Sequence, residues 1–425
     1  MQFRSYWHDT APAFAGAAEG PVEGRYDVAV IGGGFTGLAA ARQLAKAGAK
    51  AVVLEADRVG SGASGRNGGQ LNNGLAHSFL AAKAKLGAER AVALYRAFDD
   101  AVATVERIAA EEGIDCGFRR SGKLKLASKP QHFKAIALNF EAVNREVDPD
   151  TKLLTAAELK GEVASTAFHG AMLSQKSAMM HMGRFVSGLA GAAARHGATI
   201  FETAPVTGVK SSGGTYELTT PRGRVKADNV FLATGAYTSG PFGYFRRRVV
   251  PVGSFVVATR PLSQAEIQAT VPGNRNFVTS LNIGNYFRLS PDNRLIFGGR
   301  ARFSATSDQR SDAKSGAILR ASLESIFPNL AKVEIDHCWG GLVDMTADRL
   351  PRAGFADGLW FALGYSGHGA HLSTHLGTIM ADAILGKADR NPLAGLDWRA
   401  VPGHFGKPWF LPLVGLYYKI LDRIQ

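Results

Sequence analysis

Four glycines stand close together near the start of the chain. The segment VIGGGFTG occupies residues 30–37, directly after an apolar run and before a stretch of small residues. Gly32, Gly34 and Gly37 have the spacing G-x-G-x-x-G, which permits a tight turn, a close approach of backbone to a pyrophosphate, and close packing of helix on strand. N–H groups at the start of a helix, here near Phe35 and Thr36, attract phosphate. The spacing predicts a dinucleotide-binding site.

A carboxylate follows at the distance that such a site requires. The second apolar segment, AKAVVLEA, covers residues 49–56 and brings Glu55 and Ala56 to the end of a predicted strand. A glutamate about 20 residues after the first glycine accepts hydrogen bonds from a ribose, and its charge would repel the 2′-phosphate of NADP. Strand, glycine turn, helix and strand together predict a right-handed βαβ unit.

The loop after Glu55 bears on the choice between NAD and FAD. Residues 58–70, RVGSGASGRNGGQ, form a second glycine-rich stretch. An NAD dehydrogenase normally continues here into its next βαβ unit, whereas this loop can wrap a second anionic or ring moiety. A flexible surface loop is the alternative interpretation. The loop residues expected at the cofactor are Ser61, Gly62, Ala63, Ser64, Arg66, Asn67, Gly68, Gly69 and Gln70.

A late segment repeats the pattern of the first. LWFALGYSGHG, residues 359–369, is an apolar strand followed by a glycine turn and then by a predicted helix. A plain strand–helix connection would have the same appearance. If the segment faces a ligand, its contacting residues are Gly364, Tyr365, Gly367, His368 and Gly369.

These stretches, together with FLATGAY at 231–237, resemble the D-amino-acid oxidase superfamily of FAD-dependent amine oxidoreductases, which includes glycine and sarcosine oxidases. The resemblance extends along nearly all of the chain and is nearest to the gamma-glutamylputrescine oxidases. It implies noncovalently bound FAD, with Thr234 and Gly235 close to the cofactor and Val206 offering its backbone to the adenine. It also implies that the helix starting near Ala370 points its positive end at the flavin.

The fold class expected is α/β, with a discontinuous Rossmann-like FAD domain and a substrate domain built on a mixed or antiparallel sheet. Residues 1–24 are expected to form an N-terminal arm and residues 396–425 a C-terminal tail. The FAD domain is expected to take residues 25–85, 160–245 and 338–395. The substrate domain takes residues 86–159 and 246–337.

Candidates for the substrate side are less sharply marked. Tyr286 and Arg288 share one face of a predicted strand at i and i+2, and Trp339, Asp344 and His368 lie in or near the motifs above. Glycine oxidase-like enzymes hold the substrate carboxylate with an arginine on the equivalent strand. By alignment that position falls near Ser290, with Arg288 two residues away. A purely structural role is the alternative for each side chain.

The activity expected is oxidation of a primary or secondary amine to an imine, which water hydrolyses to an aldehyde or keto acid. Dioxygen would reoxidise the flavin and give hydrogen peroxide. The alternatives are a D-amino-acid or N-methyl-amino-acid dehydrogenase that passes electrons to a carrier, and a noncatalytic FAD subunit of a larger complex. An NAD-linked dehydrogenase is opposed by the loop after Glu55 and by the late glycine turn.

Composition limits the remaining possibilities. Lys and Arg outnumber Asp and Glu by 49 to 36, giving a net charge of +13, but the basic residues are scattered and predict no nucleic-acid partner. Cys116 and Cys338 form neither a disulfide framework nor a zinc motif. His371 and His375 at i and i+4 lack a third ligand, so no metal is expected. No run of about 18 apolar residues appears, and a cytoplasmic location is expected.

The apolar tail ends in KPWFLPLVGLYYKILDRIQ, residues 407–425. It could lie on a membrane surface, but packing on its own domain or on another subunit of a homo-oligomer is the favoured expectation.

Overall fold

The computed structural model describes residues 1–304, 309, 313–387 and 390–424. The helices are α1 (Tyr6–Asp9), α2 (Phe35–Lys46), α3 (Phe79–Leu86), α4 (Ala88–Glu111), α5 (Pro130–Glu146), α6 (Ala156–Leu159), α7 (Met182–Arg195), α8 (Gly243–Arg246), α9 (Gln264–Gln268), α10 (Ala313–Ile326), α11 (Gly369–Ile384) and α12 (Leu411–Ile424). Short 3-10 turns lie at Ala63–Gly65, Gly235–Tyr237 and Pro328–Leu330.

The strands form three sheets. In chain order they are β1 (Arg25–Ile31), β2 (Ala51–Leu54), β3 (Gln70–Leu71), β4 (Arg119–Arg120), β5 (Lys123–Leu126), β6 (Lys152–Thr155), β7 (Gly170–Ser174), β8 (Ala178–Met179), β9 (Thr199–Phe201), β10 (Gly208–Ser212), β11 (Thr215–Thr220), β12 (Gly223–Leu232), β13 (Val250–Pro261), β14 (Asn276–Thr279), β15 (Tyr286–Leu289), β16 (Arg294–Arg302), β17 (Ile335–Met345), β18 (Arg352–Ala356) and β19 (Leu359–Leu363).

The first sheet is parallel at its centre because its strands are short apolar runs connected through helices. β1 lies between β2 and β12, with Ile31 level with Leu54 on one side and Leu232 on the other. β9 continues the parallel array beyond β2, and β19 pairs in parallel with the end of β12. The helix α2 packs against both α7 and α11. The carboxyl ends of β1, β2 and β12 therefore meet at one edge, where open α/β sheets bind ligands.

The second sheet has the order β17-β13-β16-β15-β14-β5-β7-β6. Within the described residues its pairs are antiparallel except for β14 with β5. Phe277, Phe287 and Phe297 stack across neighbouring strands, with ring centroids 5.0 and 5.7 Å apart, and form its core. The α/β class with a second, mixed sheet is confirmed. A small third sheet, β3-β8-β4, completes the set.

Some boundaries differ from those expected. β7 pairs with β5, and β17 pairs with β13, so both belong to the second sheet, although residues 160–245 and 338–395 were assigned to the FAD domain. Pairing between distant strands decides to which sheet a segment belongs, and local composition does not reveal that pairing. Helical periodicity over 79–113 predicts one helix, but Gly87 adopts φ +84° and separates α3 from α4. The sequence over 130–146 also predicts a helix, and the structure has it as α5.

The two ends of the chain behave differently. In the N-terminal arm, Tyr6 and Trp7 are buried. In the C-terminal tail, α12 buries Leu411 and Gly415 against the body of the protein. Its outward face is apolar and exposed, with Leu413, Leu416, Tyr417, Ile420 and Ile424. No helix among the described residues is both long enough and apolar enough to cross a bilayer.

Candidate functional site

A cavity of about 1400 Å³ extends from the carboxyl edge of the first sheet to the inner face of the second. Single small-molecule pockets rarely exceed about 1,000 Å³. The volume is therefore sufficient for a dinucleotide with further space beyond it. A separate cavity of about 190 Å³, beside Leu86 and Leu350, is too small for a dinucleotide.

The first glycine motif forms a cradle at one end of this cavity. Gly32 has φ +112°, and a Cβ on it would lie 2.8 Å from the backbone oxygen of Ala233. A Cβ on Gly34 would lie 2.8 Å from Oγ of Ser64, and one on Gly37 would overlap the backbone oxygen of Gly32. Each position therefore excludes a side chain for a separate steric reason. Gly34 caps α2, and the start of that helix faces the cavity.

Glu55 lines the cavity beside this cradle. Its Oε2 accepts from the backbone N–H of Gly33 at 2.5 Å, and its Oε1 accepts from that of Asp57 at 2.9 Å. A carboxylate has about four acceptor sites, so it retains capacity for ribose hydroxyls. Burial raises the pKa of Glu55, and the two backbone donors oppose that rise.

The second glycine-rich loop is a folded wall of the cavity. Arg66 donates from Nε to the backbone oxygen of Ser61 at 2.7 Å, and Ser64 accepts from the N–H of Phe35 at 2.9 Å. The side-chain oxygen of Asn67 accepts from the N–H of Gly69 at 2.9 Å. The loop is thus fastened both to itself and to the start of α2.

The N-terminal arm holds this loop from behind, which the sequence analysis did not anticipate. Ser5 donates to the backbone oxygen of Gly65 at 2.7 Å, and the indole N–H of Trp7 donates to that of Asn67 at 2.6 Å. Nε2 of His8 lies 3.0 Å from the backbone oxygen of Gly60. The available signal was the cluster of rings in YWH, residues 6–8, near the start of the arm.

Arg288 and Trp339, both expected on the substrate side, lie outside the cavity lining. Arg288 is buried and donates to the backbone oxygens of Met180 at 2.7 Å, Gly68 at 3.2 Å and Leu289 at 3.2 Å. Trp339 donates from its indole to the backbone oxygen of Arg66 at 2.8 Å. A buried guanidinium needs acceptors to offset its desolvation, and here backbone carbonyls supply them. Both side chains support the loop from outside.

The late glycine turn closes the opposite wall. The hydroxyls of Tyr365 and Thr36 lie 2.7 Å apart and connect this turn to the first glycine motif. Oδ2 of Asp344 accepts from the N–H of Gly364 at 2.8 Å, and burial raises the pKa of that carboxyl to about 6. Burial lowers the pKa of His368 to about 4. The imidazole is therefore neutral at pH 7.

The structure brings most of the expected cofactor residues to this one cavity. Those that line it are Gly32, Gly34, Phe35, Thr36, Glu55, Ala56, Ser61, Gly62, Ala63, Ser64, Arg66, Asn67, Gly68, Gln70, Val206, Thr234, Gly235, Tyr365, Gly367, His368 and Gly369. Gly37, Gly69 and Gly364 stand just behind the lining, where they permit close packing.

The far end of the cavity is formed by the second sheet. Of the expected substrate residues, Tyr286 lies at this end, whereas Asp344 lines the cavity beside the late glycine turn. Lys123 and Lys125 also line the cavity at this end, and no motif in the sequence indicates either residue. The alternation KLKL placed the two lysines on one face of a strand, but nothing local showed that this face is internal. His375 pairs with Thr104 at 2.8 Å, and the described residues contain no cluster of three metal-ligating side chains.

A parallel sheet with a glycine cradle, an acidic ribose acceptor and a second wrapping loop defines a dinucleotide-dependent oxidoreductase. The family model described as FAD dependent oxidoreductase (DAO) matches residues 27–383, and the chain belongs to this family. Its cofactor is FAD. The glycine cradle, the Glu55 carboxylate and the size of the cavity fit that cofactor.

Individual proteins show how far the similarity extends. Probable oxidoreductase OrdL of Haemophilus influenzae is 33% identical over 408 residues, covering 94% of this chain and 92% of the relative. Gamma-glutamylputrescine oxidoreductase of Escherichia coli is 32% identical over 405 residues, covering 94% and 93%. The crystal structure of glycine oxidase from Geobacillus kaustophilus superposes with a TM-score of 0.76 at 26% identity, covering 89% of this chain and all of that one.

Proposed function

We propose that this protein oxidises a primary or secondary amine, of the gamma-glutamylputrescine or amino-acid type, to an imine that water hydrolyses to an aldehyde or keto acid. The observation that carries this proposal is the continuity of the cavity from the glycine cradle at Gly32 to Tyr286 and Lys125 on the second sheet. A substrate amine can therefore lie in the same space as the flavin. The similarity to gamma-glutamylputrescine oxidoreductase and glycine oxidase supports the choice of donor.

In this proposal each part of FAD is held by a different set of residues. The N–H groups of Gly34 and Thr36 hold the diphosphate, since that of Phe35 already donates to Ser64. Glu55 holds the ribose, Val206 the adenine, and the loop 58–70 with the turn 364–369 the flavin. When bound, FAD accepts the hydride of the amine C–H bond. The first residues of α11, Gly369 and Ala370, line the cavity, so the positive helix end supports negative charge there. Neither cysteine lines the cavity, which supports noncovalent binding.

The protein must also keep the reacting amine unprotonated. The lysines at the far end carry positive charge, and nearby cations disfavour protonation of an amine. Burial lowers the pKa of His368, so that imidazole adds no competing proton at pH 7. Burial likewise raises the pKa of Tyr286 and keeps its phenol as a neutral hydrogen-bonding group. These groups orient the substrate and maintain its nucleophilic form.

An anaerobic substrate screen tests the proposal. The purified flavoprotein is mixed with gamma-glutamylputrescine, putrescine, N-methylglycine and D-alanine, and loss of the oxidised flavin absorbance is followed. Rapid bleaching by at least one of these amines is expected. Flavin that none of a broad amine panel reduces would contradict the proposal and leave the noncatalytic subunit as the better description.

Dioxygen is proposed as the acceptor, with hydrogen peroxide as its product. A carrier-linked dehydrogenase is the second candidate. The exposed apolar face of α12 favours it, because Ile424 on that helix lines the cavity and a carrier protein could dock beside it. Mixing the reduced enzyme with air-saturated buffer separates the two. Rapid reoxidation with stoichiometric peroxide indicates an oxidase, whereas slow reoxidation that an artificial carrier accelerates indicates a dehydrogenase.

A further inference from the structure

Two lysines enter the far end of the cavity from a single strand. Lys123 and Lys125 occupy positions i and i+2 of β5 and therefore share one face. Leu124 and Leu126 alternate with them and are fully buried in the core of the second sheet. Both lysines line the cavity. The inner face of β5 is thus the one on which this strand carries charge.

Neither lysine has an acidic partner. Lys125 donates from Nζ to the backbone oxygen of Thr279 at 3.0 Å, and Lys123 donates to that of Asn73. Among the described residues, neither ammonium forms an ion pair within 4.0 Å. Asp99 acts on Lys123 through space, but this carboxylate is already paired with Lys176 at 3.1 Å and with Asn73 at 2.8 Å.

The remaining charged and titratable groups around the pair are basic. His368 and His371 approach from α11, and Arg349 acts on Lys125. Burial lowers the pKa of both lysines to about 8, so at pH 7 they remain largely protonated. Charges removed from water are costly unless a counter-charge accompanies them. Both ammonium groups therefore lack a counter-charge, and the space in which one could lie is the open cavity.

We propose that Lys123 and Lys125 bind the carboxylate of the substrate, so that the enzyme prefers amines that also carry a carboxylate. The inference rests on the proposed function for the amine part of that substrate. It assigns to β5 the carboxylate-binding role for which Arg288, two residues from the aligned position at Ser290, was a candidate. The structure places Arg288 outside the cavity with its donors engaged by carbonyls. Paired ammonium donors give charge-assisted hydrogen bonds to both carboxylate oxygens.

Binding of butyrate to the purified holoenzyme, measured by calorimetry and by the change in flavin absorbance, tests the inference. Butyramide has the same shape without the charge and is the matched ligand. Wild-type protein is expected to bind butyrate at least about tenfold more tightly than butyramide, in line with hydrogen bonds to charged groups. Lys125→Gln and Lys123→Gln are each expected to remove most of that difference, whereas Lys125→Arg retains it.

Lys152→Gln is the control, because Lys152 lies on β6 of the same sheet with an exposed side chain outside the cavity. It should bind butyrate like the wild type, and melting temperatures verify that each variant is folded. Equal binding of butyrate and butyramide by the wild type, or unchanged butyrate binding in both glutamine variants, would overturn the inference. Failure of every amine to bleach the flavin would overturn the proposed function but leave the butyrate result standing.

Discussion

Arg288 donates from Nη2 to the backbone oxygen of Met180 across 2.7 Å, and so joins the second sheet to the segment that follows β8. The same guanidinium reaches the backbone oxygen of Gly68. It also lies 5.1 Å from the centre of the Trp7 ring. The buried side chain of Arg288 therefore connects β15 of the second sheet, the second glycine-rich loop (residues 58–70) and the N-terminal arm.

Arg288→Ala is expected to lower the free energy of unfolding by about 3 kcal/mol or more, because it leaves buried carbonyls without donors. The variant should also retain less FAD after gel filtration. Arg288→Lys should rescue little, since an ammonium cannot reproduce the planar fork of donors. Denaturant unfolding and flavin content per chain measure both effects. A variant with unchanged stability and a raised KM only for carboxylate substrates would instead place Arg288 at the substrate.

Trp7→Ala is expected to destabilise the protein by about 3 to 5 kcal/mol, the usual cost of removing a fully buried aromatic side chain. The substitution also removes the indole donor to Asn67 and should accelerate FAD loss. Trp409→Ala is the matched control, since Trp409 is 62% exposed and Trp7 is 0% exposed. Thermal unfolding with and without added FAD measures the difference. Equal melting temperatures for the two variants would show that the arm does not support the loop.

Gly37→Ala is expected to abolish FAD binding, because the added Cβ would overlap the backbone oxygen of Gly32 and push α2 away from β1. Gly191→Ala serves as the comparison. Gly191 lies within α7, where a Cβ meets only Arg195 at 3.5 Å, and alanine there should stabilise the helix by up to about 1 kcal/mol. Flavin content after purification reports the first effect and thermal unfolding the second. Wild-type flavin content in Gly37→Ala would contradict the assigned packing.

Asp344→Asn is expected to change how stability depends on pH. Burial raises the pKa of Asp344 to about 6 from the ordinary 3.8, so the folded protein binds this proton more tightly than the unfolded chain. Its stabilising contribution is complete below about pH 4 and is lost as the pH rises through about 6. Relative to wild type, the variant should therefore gain on the order of 3 kcal/mol between those limits. Denaturant unfolding at several pH values measures it, and a pH-independent difference would contradict it.

The sequence indicates which residues gather at the first-sheet end of the cavity because the requirements there are local. Gly37 must lack a side chain because of the backbone oxygen of Gly32, five residues earlier, and Gly32 because of Ala233 at the end of the neighbouring strand β12. Glu55 stands at a fixed distance along the βαβ unit. Residues close in the chain enforce this geometry, so the spacing alone carries the information.

The sequence indicates less of the cavity lining at the second sheet, because strand pairing between distant segments creates that lining. Tyr286 and Arg288 share a face of β15, yet only Tyr286 reaches the cavity, since Gly68 and the segment after β8 cover Arg288. Lys125 faces the cavity only because β5 pairs with β14, about 150 residues later in the chain. The alternation KLKL in β5 is the same whether the lysine face of the strand is exposed to solvent or lines a ligand cavity.

The N-terminal arm has a consequence for how the protein is made. Gln2 forms an isolated parallel β-bridge with His337. Oδ2 of Asp9 lies 3.1 Å from Nε2 of His337, which is 328 positions later in the chain. The arm must therefore wait, without this partner, until the chain has been translated through His337. Its contact with β17 fixes the position of the arm, which in turn holds the loop 58–70 through Ser5 and Trp7. Completion of the cofactor site is accordingly a late event, which follows the docking of the arm on β17.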